Sequence, residues 1–242
     1  MGITISPDGK EILFTRRLEG TKQNRIYYMK YENGYWLKPQ LSPFSDGNRE
    51  SEANFSPDGK TIFFNSRRPL PANITTNNQM NVWFVQKEDG VWKESKVLGP
   101  PVSDMKPMFV TQAKDGTIYF TGNIDRGIYK AEYRAGEYAQ PERLPDEING
   151  RNWAGHPFID PDEKFILFDS NIDQEGTKNL YISFGNEQGS WSPSININKY
   201  IDFPKHAAIP HITFDGEYLF FSSEGDIYWI CAKIIEDLKP KK

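Results

Sequence analysis

The stretch Ser56–Arg68, SPDGKTIFFNSRR, decides the fold, because the chain repeats it. Ser6–Arg17 reads SPDGKEILFTRR, and three later segments keep the acid of the turn at Asp115, Asp162 and Asp215. Proline, aspartate and glycine in succession are typical of a tight turn whose glycine takes the left-handed conformation. An acid that recurs in every unit is therefore interpreted as part of a hairpin, and not as a catalytic group.

Two further signatures follow the turn in a constant order. The first joins an aliphatic to an aromatic residue, as in Asn81–Phe84, NVWF, and the second is a Gly-x-aromatic turn, as in Asn33–Pro39, NGYWLKP. The runs between them are rich in Ile, Phe, Tyr, Trp and Thr, which is typical of strands. Four such strands in each unit of about 50 residues predict an all-β fold, a five-bladed β-propeller of four-stranded blades.

The repeat also predicts the domain organisation. We expect one domain over residues 1–242, with blades at about 2–46, 47–103, 104–149, 150–202 and 203–232 and a tail at 233–242. The fifth unit has no Gly-x-aromatic turn, so its blade should lack its own outer strand and expose an edge. Because the first unit begins directly at a strand and no signal peptide precedes it, we expect the chain to be cut from a longer precursor just before Ile3.

Composition excludes several classes of protein. The net charge is −4, which argues against nucleic acid as the main partner, and no apolar run is long enough to span a membrane. The single cysteine, Cys231, excludes an internal disulfide, and its apolar surroundings predict a buried, unreactive thiol. No motif in the sequence calls for a cofactor.

The repeated motifs resemble those of TolB-type, WD-repeat-like bacterial β-propellers. The segments that carry the resemblance are FSPDGKTIFFNSRR at Phe55–Arg68, NVWFV at Asn81–Val85 and GYWLKPQL at Gly34–Leu41. The resemblance covers essentially the whole chain and implies a binding or scaffolding domain. It also implies a periplasmic or cell-surface location.

Candidate site residues lie in the variable loops at the mouth of the channel opposite the Ser-Pro-Asp-Gly hairpins, because variable loops on a rigid scaffold commonly carry function. Glu52 and His156 occupy equivalent positions, six residues before the turn acid, and Trp153 is suited to stacking on a sugar or peptide. The predicted ligand-binding residues are Arg17, Glu52, Arg67, Asp104, Lys106, Arg151, Trp153, His156, Lys205 and His206.

Several functions remain open at this mouth. The leading hypothesis is a non-enzymatic module that binds a protein, a peptide or a cell-envelope glycan. A carbohydrate hydrolase or lyase that uses channel carboxylates and histidines is the alternative, with acids among Glu50, Glu52 and Asp104. A metal held by Glu52, His156 and His206 has suitable ligand types but no supporting spacing motif, so no metal is predicted.

Overall fold

The structure is a computed structural model that describes residues 2–21, 23–72, 80–150, 153–171, 173, 177–201 and 206–240. It confirms the predicted all-β fold, a five-bladed β-propeller of antiparallel sheets. In the described ranges, no helix is both long and apolar enough to cross a membrane.

Each blade is built from consecutive strands. The first contains β1 (Ile3–Ile5), β2 (Glu11–Arg17), β3 (Asn24–Glu32), β4 (Tyr35–Trp36) and β5 (Gln40–Leu41). The second contains β6 (Glu50–Phe55), β7 (Thr61–Ser66), β8 (Asn81–Glu88), β9 (Val91–Trp92) and β10 (Lys96–Val97). The third contains β11 (Pro107–Gln112), β12 (Ile118–Gly122), β13 (Gly127–Ala131), β14 (Tyr133–Arg134), β15 (Glu137–Tyr138) and β16 (Glu142–Arg143).

The last two blades are simpler. The fourth contains β17 (Ala154–Ile159), β18 (Phe165–Ser170), β19 (Asn179–Phe184) and β20 (Ile195–Asn196), and the fifth contains β21 (Ala208–Ile212), β22 (Tyr218–Ser223) and β23 (Asp226–Cys231). Short helical elements lie between or after the blades. They are the 3-10 turns Val102–Met105 and Ile197–Lys199 and the α-helices α1 (Asp146–Asn149) and α2 (Ile234–Leu238).

The Ser-Pro-Asp-Gly segments join the first and second strands of their blades. In the second blade the Ser56 hydroxyl donates to Asp58 Oδ1 at 2.6 Å, and the backbone N–H of Lys60 donates to the same oxygen at 3.0 Å. Gly59 has the left-handed φ of 68° that closes the turn. The carboxylate therefore stabilises its own hairpin. In the fourth blade Glu163 takes the glycine position with a φ of 57°.

The core lies between neighbouring blades. Second strands pack on both faces, so successive residues such as Ile166, Leu167 and Phe168 are all fully buried. Leu167 packs into the cluster shared with the fifth blade, whereas Ile166 and Phe168 pack into the cluster shared with the third. Burial on both faces explains why these strands lack the alternation of polar and apolar residues.

The first and fifth blades meet through a buried polar contact. Thr4 Oγ1 of β1 lies 3.2 Å from His211 Nε2 of β21, and both side chains are almost completely buried. Burial lowers the pKa of His211 to about 3, so the imidazole is neutral in the folded protein. His211 therefore belongs to the joint between these two blades.

The fifth blade has three strands among the described residues and exposes its outer face. On β23 the Trp229 side chain is 60% exposed. Cys231 is also exposed, so the prediction of a buried thiol was wrong. The physical reason is that β23 is the outermost described strand of its sheet, and its apolar sequence is only partly covered.

Candidate functional site at the channel mouth

A β-bulge interrupts the inner strand of four blades. The strand register shifts within β6, β11, β17 and β21. The bulged residue in each case has a left-handed backbone, which is unfavourable for any residue with a side chain by about 1–3 kcal/mol. These residues are Glu52 (φ 59°), Phe109 (φ 53°), His156 (φ 49°) and Ile209 (φ 57°). Each lies six residues before its turn acid, and Gly2 occupies the corresponding position in the first blade.

Hydrogen bonds between blades hold three of these bulges in place. In each case the backbone N–H of the bulged residue donates to a polar side chain in the second strand of the preceding blade. The bonds join Glu52 to Thr15 Oγ1 (3.0 Å), Phe109 to Asn65 Oδ1 (3.2 Å) and His156 to Thr121 Oγ1 (2.9 Å). The bulges are therefore a repeated part of the scaffold, which places one variable side chain from each of four blades around the channel.

His156 forms a close pair with Asp169 of β18. Its Nδ1 lies 2.8 Å from Asp169 Oδ1 and 3.0 Å from Oδ2, and the carboxylate is fully buried. Burial lowers the pKa of His156, but the attraction of the Asp169 carboxylate outweighs it, so the net shift of the pKa is upward. The pair thus favours a positively charged imidazolium next to a buried carboxylate.

Glu52 contributes a second buried carboxyl group to this end of the channel. Its Oε2 is inaccessible to solvent and has no hydrogen-bond partner in the described part of the chain. Burial raises the pKa of Glu52, and the nearby charge of His156 opposes that rise only in part. The shift is toward the protonated form, which offers one hydrogen-bond donor and one acceptor, whereas the ionised form only accepts.

Aromatic rings and a lysine surround the histidine. The edges of Trp153 and Phe109 meet the imidazole with ring centroids 5.4 Å and 5.2 Å from it. Lys178 Nζ lies 3.7 Å from the centre of the Trp153 ring and 3.6 Å from Asp169 Oδ2. This is a cation–π contact that also approaches a buried carboxylate.

Gly155 makes room for this arrangement. A Cβ atom at this position would lie 2.5 Å from Cζ2 of Trp153 and 3.0 Å from Thr121 Oγ1. Only glycine therefore lets the indole fold back over the strand. The Ser170 hydroxyl also donates a 2.7 Å hydrogen bond to the backbone carbonyl oxygen of Trp153.

The structure brings together Glu52, Trp153 and His156 of the predicted residues. His206 is exposed beside them, where its Nδ1 accepts a hydrogen bond of 3.2 Å from the backbone N–H of Lys178. Four other predicted residues are exposed and, among the described residues, form no hydrogen bond, ion pair or ring contact with this cluster: Arg17, Arg67, Asp104 and Lys106. Two lie outside the described residues: Arg151 and Lys205.

Sequence reasoning missed Asp169, Lys178 and Phe109. Asp169 occupies the second-strand position where other blades carry the bulge-binding residues Thr15 and Asn65. Alignment of the repeats therefore shows an acid at this position, within the mostly apolar segment Phe165–Ser170, and could have identified Asp169 as a candidate site residue. Lys178 lies directly before β19 in a loop of variable length, so no periodic pattern identifies it.

Two of the chemical alternatives can be tested against this geometry. Within the described ranges, no group of three His, Cys, Asp or Glu side chains could hold a metal ion. Glu50 is fully buried, and its Oε1 accepts a 2.8 Å hydrogen bond from Arg68. Glu50 therefore stabilises the second blade, which leaves Glu52 as the carboxyl group from this segment at the channel.

Comparison with known proteins finds solved structures with a similar fold. No protein-family profile and no curated protein sequence matches the chain. Its structure is similar to that of a protein from Agrobacterium tumefaciens assigned as TolB, with a TM-score of 0.61, 18% identity, and coverage of 94% of this chain and 71% of that one. TolB from Acinetobacter baumannii gives a TM-score of 0.56 and 15% identity, with 96% and 51% coverage.

An enzyme shares the architecture to a similar extent. A gluconolactonase from Xanthomonas campestris gives a TM-score of 0.54 and 13% identity, with coverage of 95% of this chain and 84% of that one. At such identities the likeness concerns the fold alone. The chain spans about half the length of TolB from Acinetobacter baumannii. The resemblance read from the repeated motifs is thus confirmed at the level of architecture, and the chain has a TolB-like β-propeller fold.

Proposed function

We propose that the protein is a non-enzymatic binding module that receives a peptide segment of a partner protein, or a cell-envelope glycan, at the channel mouth formed by Glu52, Trp153, His156, Asp169 and Lys178. The observation that carries the proposal is the unpartnered, buried Oε2 of Glu52. A buried polar atom without a partner is unfavourable by about 1–3 kcal/mol, and a ligand whose binding rearranges the mouth enough to reach this oxygen would recover that free energy.

The chemistry of the mouth favours an amide group. A neutral carboxyl donates one hydrogen bond and accepts another, which complements the C=O and N–H of an amide. Peptide bonds and the acetamido groups of cell-envelope sugars both contain amides. Trp153 offers an aromatic surface beside this position, and aromatic side chains are common anchors in binding sites.

The left-handed bulges support the same proposal. Backbone strain of this kind persists where the surrounding structure enforces it, and it is enriched at functional sites. Here it holds Glu52, Phe109 and His156 on one ring of positions, while the chemistry of the side chain differs from blade to blade. The resemblance to TolB-type propellers adds the proposal that binding takes place in the periplasm or at the cell surface.

Paired peptide and glycan arrays test this function. We expect the wild type to bind a defined set of ligands, and Trp153→Ala and His156→Ala to bind that set at least about tenfold more weakly. Trp36→Ala is the matched control, because Trp36 lies in the Gly-x-aromatic turn of the first blade and is 38% exposed. Equal binding by wild type, Trp153→Ala and His156→Ala would reject the placement of the site.

A carbohydrate hydrolase or lyase is the second candidate function, and one observation favours it. Two raised pKa values meet at the mouth: burial raises the pKa of Glu52, and the Asp169 carboxylate raises the pKa of His156. A carboxyl group and an imidazole with raised pKa values in one site are suited to general acid–base chemistry. Turnover of a carbohydrate panel that Glu52→Gln abolishes, with binding retained, would establish this candidate in place of the first.

A further inference from the structure

A second cleft opens on the opposite face of the ring, between the second and third blades. It has a volume of about 540 Å³ and lies between the hairpin at Asp58 and the hairpin at Lys114–Gly116. Ligand pockets have volumes of about 300–1,000 Å³, so the cleft has room for a small organic ligand. It shares none of the residues of the channel mouth.

Two tyrosines form one wall of this cleft. Tyr133 and Tyr138 face each other across the β14–β15 ribbon, with ring centroids 4.9 Å apart. This ribbon is a separate two-stranded sheet, whereas β4 and β9 pair with the third strands of their blades. A Cβ atom on Gly116 would lie 3.2 Å from Cβ of Tyr133, so the glycine allows the ribbon to fold against the hairpin. Tyr133 remains 46% exposed and offers an aromatic surface to the cleft.

Amide groups provide polar contacts next to the tyrosines. Gln86 lines the cleft, is exposed, and has no side-chain hydrogen bond to any described residue. Gln112 is held in place, because its Nε2 donates to the Gly116 carbonyl oxygen at 3.2 Å. An amide both donates and accepts hydrogen bonds, which suits hydroxyl groups that do the same.

The charged groups of the cleft already have partners. Lys114 Nζ lies 2.6 Å from Asp162 Oδ1 of the fourth-blade hairpin. Asp58 accepts hydrogen bonds from the Ser56 hydroxyl and the Lys60 N–H. Asp115 accepts hydrogen bonds from the backbone N–H and the hydroxyl of Thr117. The groups of the cleft that remain available to a ligand are therefore aromatic surface, amide and the unused lone pairs of the carboxylates.

We propose that this cleft binds a neutral saccharide. A pyranose ring has an apolar C–H face that packs on an aromatic ring and a rim of hydroxyls that bond to amides and carboxylates, and the cleft presents both in one place. Tyr133 and Tyr138 would contact the ring face, and Gln86 and Asp58 the hydroxyls. This cleft and the channel mouth consist of different residues, so a result that rejects one proposal does not reject the other.

Saturation-transfer difference NMR with maltotriose, cellotriose and triacetylchitotriose tests the proposal. We expect at least one of the three saccharides to bind, with saturation transferred from the protein to the protons of its sugar rings. Tyr133→Ala and Gln86→Ala should each weaken that binding about tenfold. Gln86→Ala removes an exposed group without a hydrogen bond, so it is expected to fold normally. A thermal melt of each variant checks this.

Tyr31→Ala is the matched control, because Tyr31 precedes the glycine of its turn by the same three residues in the first blade and is 39% exposed. It should bind like the wild type. Absence of binding by all three saccharides would overturn the proposal, and so would binding that both cleft variants leave unchanged. Binding abolished by Trp153→Ala alone would also overturn it, because the saccharide would then occupy the channel mouth.

Discussion

At the scale of single residues, two histidines of the inner strands have pKa values shifted in opposite directions. His156 faces the fully buried Asp169 carboxylate, and its pKa rises. His211 contacts the neutral hydroxyl of Thr4, and burial lowers its pKa to about 3. The difference follows from the partner of each ring, which is a carboxylate for His156 and a neutral hydroxyl for His211.

The first prediction concerns His211. Its pKa in the folded protein is below the ordinary value of 6.5, so the stability it supports is present above pH 6.5 and is lost as pH falls toward 3. A His211→Asn variant has no such titration and should lose less stability over that range. Urea unfolding of both proteins across this interval measures the difference, and parallel pH profiles would contradict the prediction.

The second prediction concerns Glu52, whose pKa is raised in the folded protein. Its contribution to stability is present below the ordinary pKa of 4.5 and is lost as pH rises through the raised value. Glu52→Gln should therefore be more stable than the wild type at neutral pH, and the gain should disappear below pH 4.5. Thermal melts over this range test it; a loss of stability at neutral pH would show that the ionised carboxylate is favoured.

The equivalence of Glu52 and His156 could be read from the sequence, because both precede a turn acid by six residues. The residues that contact them could not be predicted from the sequence. Asp169 and Lys178 approach from another strand and from a loop, and only the pairing of Gly155 with Asp169 across β17 and β18 fixes how close they lie. A repeat gives positions along the chain, whereas a site depends on distances between strands.

At the scale of secondary-structure elements, the fifth blade differs from the others in its outer edge. The third strands of the other blades pair with a two-residue outer strand, namely β5, β10, β16 or β20. For β23 the described residues provide no such partner, and Trp229 and Cys231 are exposed. The missing Gly-x-aromatic turn predicts that this blade lacks a fourth strand, and the residues that the structure describes contain none. The exposure of the thiol could not be predicted in this way, because it depends on the position of β23 at the edge of the sheet.

The third prediction follows from this edge. Cys231, the single cysteine of the chain, should react with a thiol reagent such as DTNB in the native protein at a rate close to that of the unfolded chain. Absorbance of the released chromophore reports the reaction, and Cys231→Ser gives the blank. Reaction only after addition of denaturant would mean that another segment covers β23.

At the scale of the whole molecule, the ring depends on contacts between blades as well as within them. Apolar clusters join neighbouring sheets, and hydrogen bonds to the bulged residues join one blade to the next. The number of blades and the order of their strands follow from the repeat. Each repeat unit forms one sheet, and because that sheet cannot bury both of its faces alone, it must pack against its neighbours. The joint between the last and first units pairs Thr4 with His211, which no repeat predicts.

The fourth prediction tests this joint. Thr4→Val keeps the shape of the side chain but leaves His211 without its hydrogen bond, and it should lower the free energy of unfolding by about 1–3 kcal/mol. The midpoint of urea unfolding should fall while its slope stays constant. Thr61→Val, at a half-buried position in β7, serves as the control. An unchanged midpoint would mean that this bond does not stabilise the ring.

We propose that the channel mouth around Glu52, Trp153 and His156 is the binding surface. Isothermal titration of the strongest array ligand into wild type, Trp153→Ala and Trp36→Ala tests it most directly. We expect the Kd to be at least about tenfold weaker for Trp153→Ala and unchanged for Trp36→Ala. A Kd that Trp153→Ala leaves unchanged and Trp36→Ala weakens would contradict it, since binding would then lie on the hairpin face.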